Sequence, residues 1–485
     1  MQPASPPEDI LILGAGPAGM ACAMELCRAG RGMTMVEKAP QVGGLAKTLQ
    51  FEEPDGTYRT DIGPHRFYSK NPYLYRFIED LLGEQWRKVP RHTRFYVRGK
   101  FYDYPIRLAN VLRQIGIVSA GRMARDFLWE RMRSLVHRDP PRTFEEYAVR
   151  EFGRSLASFN MLQYTEKIWG IPCSQISVDW AVQRIGGLSV FATIRKALFS
   201  RSQGPKTLVD SFYYPSRGSG LIYEAIRDRI QAAGSRLLLR TEPIRILRDG
   251  LRVTEVTVRT AEGEHAFRPS SVASSIPITR AIELFDPPPP SAVREAAAGL
   301  RFRAQVYLFL TVNKPSVTRD NWIYFPDTSI PFGRVSEMKN FSAEMCPAGK
   351  TSLFVEFFCF EGDEVWQASK EDLFDRTMTV LERIGLLFRS GVTSVHHIRA
   401  AHVYPLYDLD YDRRLTVILE WLDGLENFYA IGRPGRFRYT NQDHSLEMGI
   451  LAAQSILTGT RQNLDAGAEN EYFEKGMLPT AVARQ

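Results

Sequence analysis

The stretch Ile10-Leu11-Ile12-Leu13-Gly14-Ala15-Gly16-Pro17-Ala18-Gly19 decides how the rest of the chain is read. Its apolar start reads as a buried parallel strand, because a strand covered on both faces has no polar alternation. Gly14, Gly16 and Gly19 follow in G-x-G-x-x-G spacing, and Ala21 to Arg28 continue as a helix. Such a turn brings backbone N–H groups and a helix N-terminus up to a pyrophosphate. Gly14 permits the tight turn, Gly16 the close approach of phosphate, and Gly19 the packing of helix on strand. A second apolar strand, Met33 to Val36, ends at Glu37. That acid stands about twenty residues after the glycines, where a carboxylate takes ribose hydroxyls. Strand, glycines, helix and acid in this order predict a dinucleotide site.

At 485 residues the chain is long enough for two or three domains. A hydrophobic content of 44% with 24% charged residues is that of a soluble globular protein. Cys22, Cys27, Cys173, Cys346 and Cys359 make no C-x-x-C pair, and the histidines show no ligand spacing, so no metal is expected. So sparse a thiol set reads as reduced cysteines in the cytoplasm. The N-terminus is Pro-rich and acidic, unlike a signal peptide. The longest uncharged run, Ile10 to Met24, is shorter than a membrane span and broken by glycines, so no transmembrane segment is expected. The net charge of +7 suits an anionic substrate and equally suits ordinary solubility. No basic patch is interleaved with aromatics, which argues against a nucleic-acid partner. Oligomeric state is not legible.

Past Glu37, Gly43-Gly44-Leu45 reads as backbone running beside the cofactor, and the Gly63-Pro64 turn presents His65. Residues 70–211 read as mainly helical, with helices near Leu108–Ile117, Met123–Val136, Phe144–Glu151 and Leu156–Trp169. One strand pair is expected at Arg94 to Tyr102, turning at Arg98-Gly99. Phe212 to Gly220 reads as a turn before a helix at Leu221–Ala233. Strands at Arg236–Leu239, Ile244–Leu247, Val253–Val258 and Ser271–Ile276 read as a return to the dinucleotide-binding layer. Strands at Val306–Val312, Trp322–Phe325 and Leu353–Cys359 read as a second, antiparallel sheet. A helix at Leu415–Leu425 precedes a strand over Asn427–Gly432. Then Gly432-Arg433-Pro434-Gly435 and a helix at Ser445–Leu457 repeat the strand–glycine–helix order.

Several of these stretches resemble the flavin-dependent UDP-galactopyranose mutases and, more widely, the amine oxidase and protoporphyrinogen oxidase type of FAD protein. Gly63-Pro64-His65 resembles the mutase G-P-H loop beside the flavin. Tyr164-Thr165-Glu166-Lys167-Ile168-Trp169-Gly170 is similar to the segment whose aromatic groups hold uridine. Pro331-Phe332-Gly333-Arg334-Val335-Ser336-Glu337, Tyr404-Pro405, and Gly432-Arg433-Pro434-Gly435-Arg436-Phe437-Arg438-Tyr439 match further family motifs in family order. The chain departs from the pattern at Tyr68, where the family has a second histidine. It departs again at Leu188, where Arg184 should be followed by a second arginine, and at Asn441, where the family has an aspartate.

The resemblance implies an α/β fold: an FAD-binding Rossmann-like domain of the glutathione-reductase type, split over 1–69, 212–276 and 426–465. Into it would be inserted a mainly helical domain at 70–211 and an antiparallel-sheet substrate domain at 277–425, with a polar tail at 466–485. It implies FAD bound non-covalently by Gly14, Gly16, Gly19, Glu37, Gly43, Gly44, Leu45, Ile244, Gly432, Arg433 and Tyr439. Tyr164, Trp169, Arg184, Arg334, Tyr404 and Tyr439 would hold a nucleotide-diphosphate sugar, with Trp169 stacking on its base or sugar. His65, Arg334 and Arg433 would serve catalysis, the arginines as guanidinium forks on the departing diphosphate. In that family reduced flavin N5 attacks the anomeric carbon, and the adduct recloses as the other ring size. An external reductant such as NAD(P)H would keep the flavin reduced. Two alternatives stay open: an FAD oxidase or dehydrogenase acting on an amine, porphyrinogen or polyene, and a non-enzymatic protein like the Rab GDP-dissociation inhibitors.

Overall fold

The computed structural model describes residues 10–69, 71–103, 117–136, 139–185 and 211–465. Ile10–Leu13 is the central strand of a five-stranded sheet. The order across that sheet is Phe428–Ala430, Val272–Ser274, Ile10–Leu13, Met33–Glu37 and Arg236–Leu239, every neighbour parallel. Ile10–Leu13 is buried along its whole length, as its unbroken apolar run requires. Helix Pro17–Arg28 starts at the glycine turn, with Gly16 as its N-cap and Pro17 in the first turn. Proline is tolerated there because that N–H has no intrahelical partner. A Cβ on Gly19 would lie 2.1 Å from the Gly14 carbonyl oxygen, so glycine alone lets the helix sit on its strand. Helix Gln442–Thr458 packs against Pro17–Arg28 by the same device, with Gly449 against the Ala18 carbonyl. The carboxyl ends of the strands at Leu13, Glu37, Ser274 and Ala430 share one edge, where open α/β sheets bind their ligands.

Of the strands read as returning to this layer, Arg236–Leu239 and Val272–Ser274 do so, but those expected at Ile244–Leu247 and Val253–Val258 do not. Glu242–Asp249, Arg252–Thr260 and Gly263–Phe267 form an antiparallel meander, with Phe285–Asp286 added in parallel. Gly250-Leu251 and Ala261-Glu262 are too short to be parallel crossovers.

The third sheet has seven strands, in the order Val392–Pro405, Phe302–Val312, Thr351–Cys359, Arg334–Glu337, Trp322–Tyr324, Thr93–Val97 and Lys100–Asp103. It is antiparallel except between Thr93–Val97 and Trp322–Tyr324. The hairpin expected at Arg98-Gly99 is present, with both residues at positive φ, but it joins this sheet. Phe212 to Pro215 is a strand, not the expected turn, and pairs with Trp86–Pro90. That partner escaped the sequence reading because Arg87, Lys88 and Pro90 are exposed and its two buried residues, Trp86 and Val89, are three apart. Hairpin Thr48–Asp61 and the long strand Val392–Pro405 also went unread. Helices occupy Ile117–Val136, Phe144–Phe152, Leu162–Trp169 and Val178–Ile185. The helix expected at Leu108–Ile117 lies outside the described residues except for its last one. No helix among the described residues is long and apolar enough to cross a membrane.

Candidate flavin and substrate site

A cavity of about 750 Å³ opens at the carboxyl edge of the parallel sheet. Gly14, Gly16, Glu37, Gly44, Leu45, His65, Gly432 and Arg433 line it. Gly14 has φ +96° and Gly44 φ +55°, and a Cβ on Gly44 would stand 3.0 Å from Gly16 Cα. The two bare backbones face each other at the cavity wall, and a side chain on Gly44 would press on Gly16, whereas one on Gly16 would meet Gly44 Cα only at 3.9 Å. The Glu37 carboxylate accepts from Ala15 N–H at 2.7 Å and Ala39 N–H at 2.8 Å, which fixes it at the end of its strand.

Gly43 holds the loop from behind, with φ +103° and its N–H donated to the Ala15 carbonyl at 2.8 Å. Ile244 does not line the cavity; its neighbours Glu242 and Pro243 do. Ser275-Ile276-Pro277, Ile398 to His402, Asn441, Gln442 and Ser445 also line it and were not anticipated. The first group had a signal, since it follows Val272–Ser274 at the same strand-end position as the glycine turn.

Gly63, at φ +101°, forms the turn before His65, whose N–H bonds the Gly63 carbonyl at 2.9 Å. Burial, with Arg433 and Arg334 nearby, pushes the His65 imidazole down to about 3, so it is neutral. Its Nδ1 is buried without a partner. Gly14 and Gly44, whose positive φ and close neighbours disfavour a side chain, a carboxylate at a strand end and a cavity-lining histidine with an unpartnered buried ring nitrogen together fit a dinucleotide flavin.

A second cluster adjoins His65. Arg334 donates from Nε and Nη2 to both carboxylate oxygens of Glu356, at 2.5 and 2.6 Å. Glu356 is fully buried, and Gln305 Nε2 also donates to it, at 3.3 Å. Burial alone would lower the Arg334 pKa, but the charge and hydrogen bonds of Glu356 raise it well above the usual value. Arg433 stands 5.5 and 5.2 Å over the rings of Tyr404 and Tyr439, which stack on each other at 5.4 Å. Tyr164 meets Tyr324 edge-on at 5.3 Å and lies near enough to Arg334 for the cation to act on its hydroxyl, whose pKa burial raises.

Arg334, Arg433 and Trp169 each meet other groups of the chain. The forks of both arginines are occupied: Arg334 by Glu356, and Arg433 by backbone carbonyls, Nε and Nη2 to Thr440 and Nη1 to Val403. Neither presents a full fork to a diphosphate: Arg334 keeps Nη1 outside the Glu356 pair, and Arg433, bonded only to carbonyls in these contacts, keeps its charge. Trp169 is fully buried behind other aromatic rings, 4.7 Å from Trp180 and 6.1 Å from both Tyr404 and Tyr439. It braces the tyrosines and presents no face to a base. The side chain of Arg184, and all of Leu188, lie outside the described residues. Asn441 is the N-cap of helix Gln442–Thr458, a position where asparagine and aspartate cap equally well. Glu356 is the functional candidate that the sequence reading missed.

The flavin containing amine oxidoreductase family model matches residues 17–457, and the chain belongs to that family. It is a flavin-dependent enzyme of the amine oxidase superfamily. A crystal structure of reduced UDP-galactopyranose mutase superposes with a TM-score of 0.81 at 23% identity, covering 94% of this chain and 97% of that one. The "Probable UDP-galactopyranose mutase" of Klebsiella pneumoniae is 26% identical over 169 residues, 35% of this chain and 43% of its own length. The L-amino-acid oxidase BmooLAAO-I of Bothrops moojeni is 24% identical over 362 residues, 68% of this chain and 67% of its own length. The fold is that of these proteins.

Proposed function

We propose that the chain is a flavin-dependent mutase that interconverts pyranose and furanose forms of a nucleotide-diphosphate sugar, with FAD held non-covalently and kept reduced by an external donor such as NAD(P)H. The carrying observation is the charge balance beside His65. Arg334 is neutralised by Glu356, His65 is uncharged, and among the described residues no carboxylate pairs with Arg433. The cluster therefore retains one positive charge, which favours an anionic substrate over an amine. Gly14, Gly16 and Gly44 would hold the pyrophosphate of FAD and Glu37 its ribose.

When bound and reduced, the flavin supplies the nucleophile for a redox-neutral exchange. Arg433 and the remaining Nη1 of Arg334 would stabilise the charge that grows on the departing diphosphate. Tyr404, Tyr439 and Tyr164 would exclude water and donate hydroxyls to the sugar nucleotide. His65, neutral, would hydrogen-bond and orient rather than carry a charge.

The L-amino-acid oxidase likeness over 68% of the chain favours a second reading, an oxidase whose substrate carboxylate meets Arg433. A panel of nucleotide sugars and L-amino acids, titrated into the anaerobic, dithionite-reduced protein and followed by flavin absorbance, separates the two. The mutase reading expects a nucleotide sugar to perturb the spectrum. Perturbation by amino acids alone would reject it.

A further inference from the structure

Helix Ile117–Val136 carries an outward face that nothing in the flavin site accounts for. Leu128, Trp129 and Met132 are 61%, 63% and 56% exposed, the three most exposed of the seven large apolar side chains that face solvent among the described residues. Their spacing puts them on one helical face. Arg122, Arg125 and Arg133 are exposed on that same face. The two carboxylates of the helix lie beside two of these arginines: Asp126 bonds Ser155 and stands 3.5 Å from Arg125, and Glu130 stands 3.9 Å from Arg133, which leaves the face with more arginine than carboxylate. The opposite face is packed, with the backbone of Phe127 against Gly153.

A surface that leaves leucine, tryptophan and methionine in water needs a reason. We propose that this face docks on an anionic lipid surface, with the helix lying in the plane of the headgroups. Apolar side chains flanked by arginines on an amphipathic helix are what such a surface binds: the rings and methyls enter the acyl boundary, and the guanidinium groups meet phosphate. Tryptophan suits the boundary because its body is apolar and its N–H polar. A second copy of the chain fits less well, because a two-fold interface would bring two sets of the same arginines into one patch.

The test uses full-length, flavin-loaded protein and co-sedimentation with vesicles of phosphatidylcholine alone or mixed with phosphatidylglycerol. Wild type is expected to pellet with the mixed vesicles, not with the neutral ones, and to be released by salt. Trp129→Ser combined with Leu128→Ser is expected to abolish pelleting while flavin content stays unchanged. Arg125→Gln is expected to weaken it about fivefold. No pelleting of wild type, or equal pelleting of the serine variant, would overturn the proposal. So would a concentration-dependent dimer that the serine variant dissolves.

Discussion

Arg334 and Glu356 face each other across adjacent antiparallel strands and close two parallel hydrogen bonds, Nε to Oε1 and Nη2 to Oε2. The cross-strand register makes the pair, and the pair sets the charge of the site. A charge buried this way is costly mainly when its partner is removed. Arg334→Met and Glu356→Leu are therefore each expected to cost about 3–5 kcal/mol in chemical denaturation. The double variant should cost less than either single one, since it leaves no orphan charge. Additive losses would show that the two residues are not coupled.

His65 should be silent in the pH profile. Its imidazole is lowered to about 3, first by burial and then by Arg433 and Arg334. Turnover is expected to show no limb near 6.5, the ordinary imidazole value. The stability linkage has a definite sign. Between about 6.5 and 3 the unfolded chain binds a proton that the native chain does not, so His65 makes stability fall as pH falls. Replacing His65 by Gln should remove that slope, read as the melting temperature of the variant minus that of wild type across the window.

Asp61 acts in the opposite direction. It is fully buried between hairpin Thr48–Asp61 and helix Gly220–Ala232, accepting from Thr48 Oγ1, Tyr214 OH and Ser219 N–H. Burial raises its pKa to about 7, against the lowering effect of those donors. Its native carboxyl thus keeps a proton that the unfolded chain has lost, and stability falls as pH rises from about 4 to about 7, by about 1.4 kcal/mol per unit. Asp61→Asn is expected to remove this slope, so the variant gains on wild type as pH rises. A difference that stays flat would show that Asp61 is ionised throughout.

Gly44→Ala tests the cavity wall. The new methyl would stand 3.0 Å from Gly16 Cα, on a backbone at φ +55°. The variant is expected to fold, by circular dichroism, yet to lose most of its bound flavin. Full flavin content would mean that the cofactor does not approach this wall.

What was legible in the sequence was what local chemistry writes. The glycine turn, Glu37 and Gly432 are each fixed by a backbone need within a few residues, and Gly14, Gly16, Glu37 and Gly432 line the cavity. Glu356 was hidden because its partner lies 22 residues earlier and becomes a neighbour only through strand register. Trp169 sits in a motif but packs into the core, and no spacing distinguishes a ring that braces a site from one that lines it. The strands at Trp86–Pro90 and Glu242–Thr260 were missed or misplaced because pairing partners, not propensity, decide which sheet a short strand joins.

The central claim is that reduced flavin serves a redox-neutral ring interconversion here. The direct measurement is an anaerobic assay with dithionite-reduced protein and UDP-galactopyranose, its furanose form and related nucleotide sugars. Ring forms are separated by chromatography, and reductant is counted per turnover. The account expects interconversion of one such sugar with no net consumption of reductant, and none with the oxidised protein. Stoichiometric peroxide in air from an amine or amino acid, with no ring conversion of any nucleotide sugar, would contradict it.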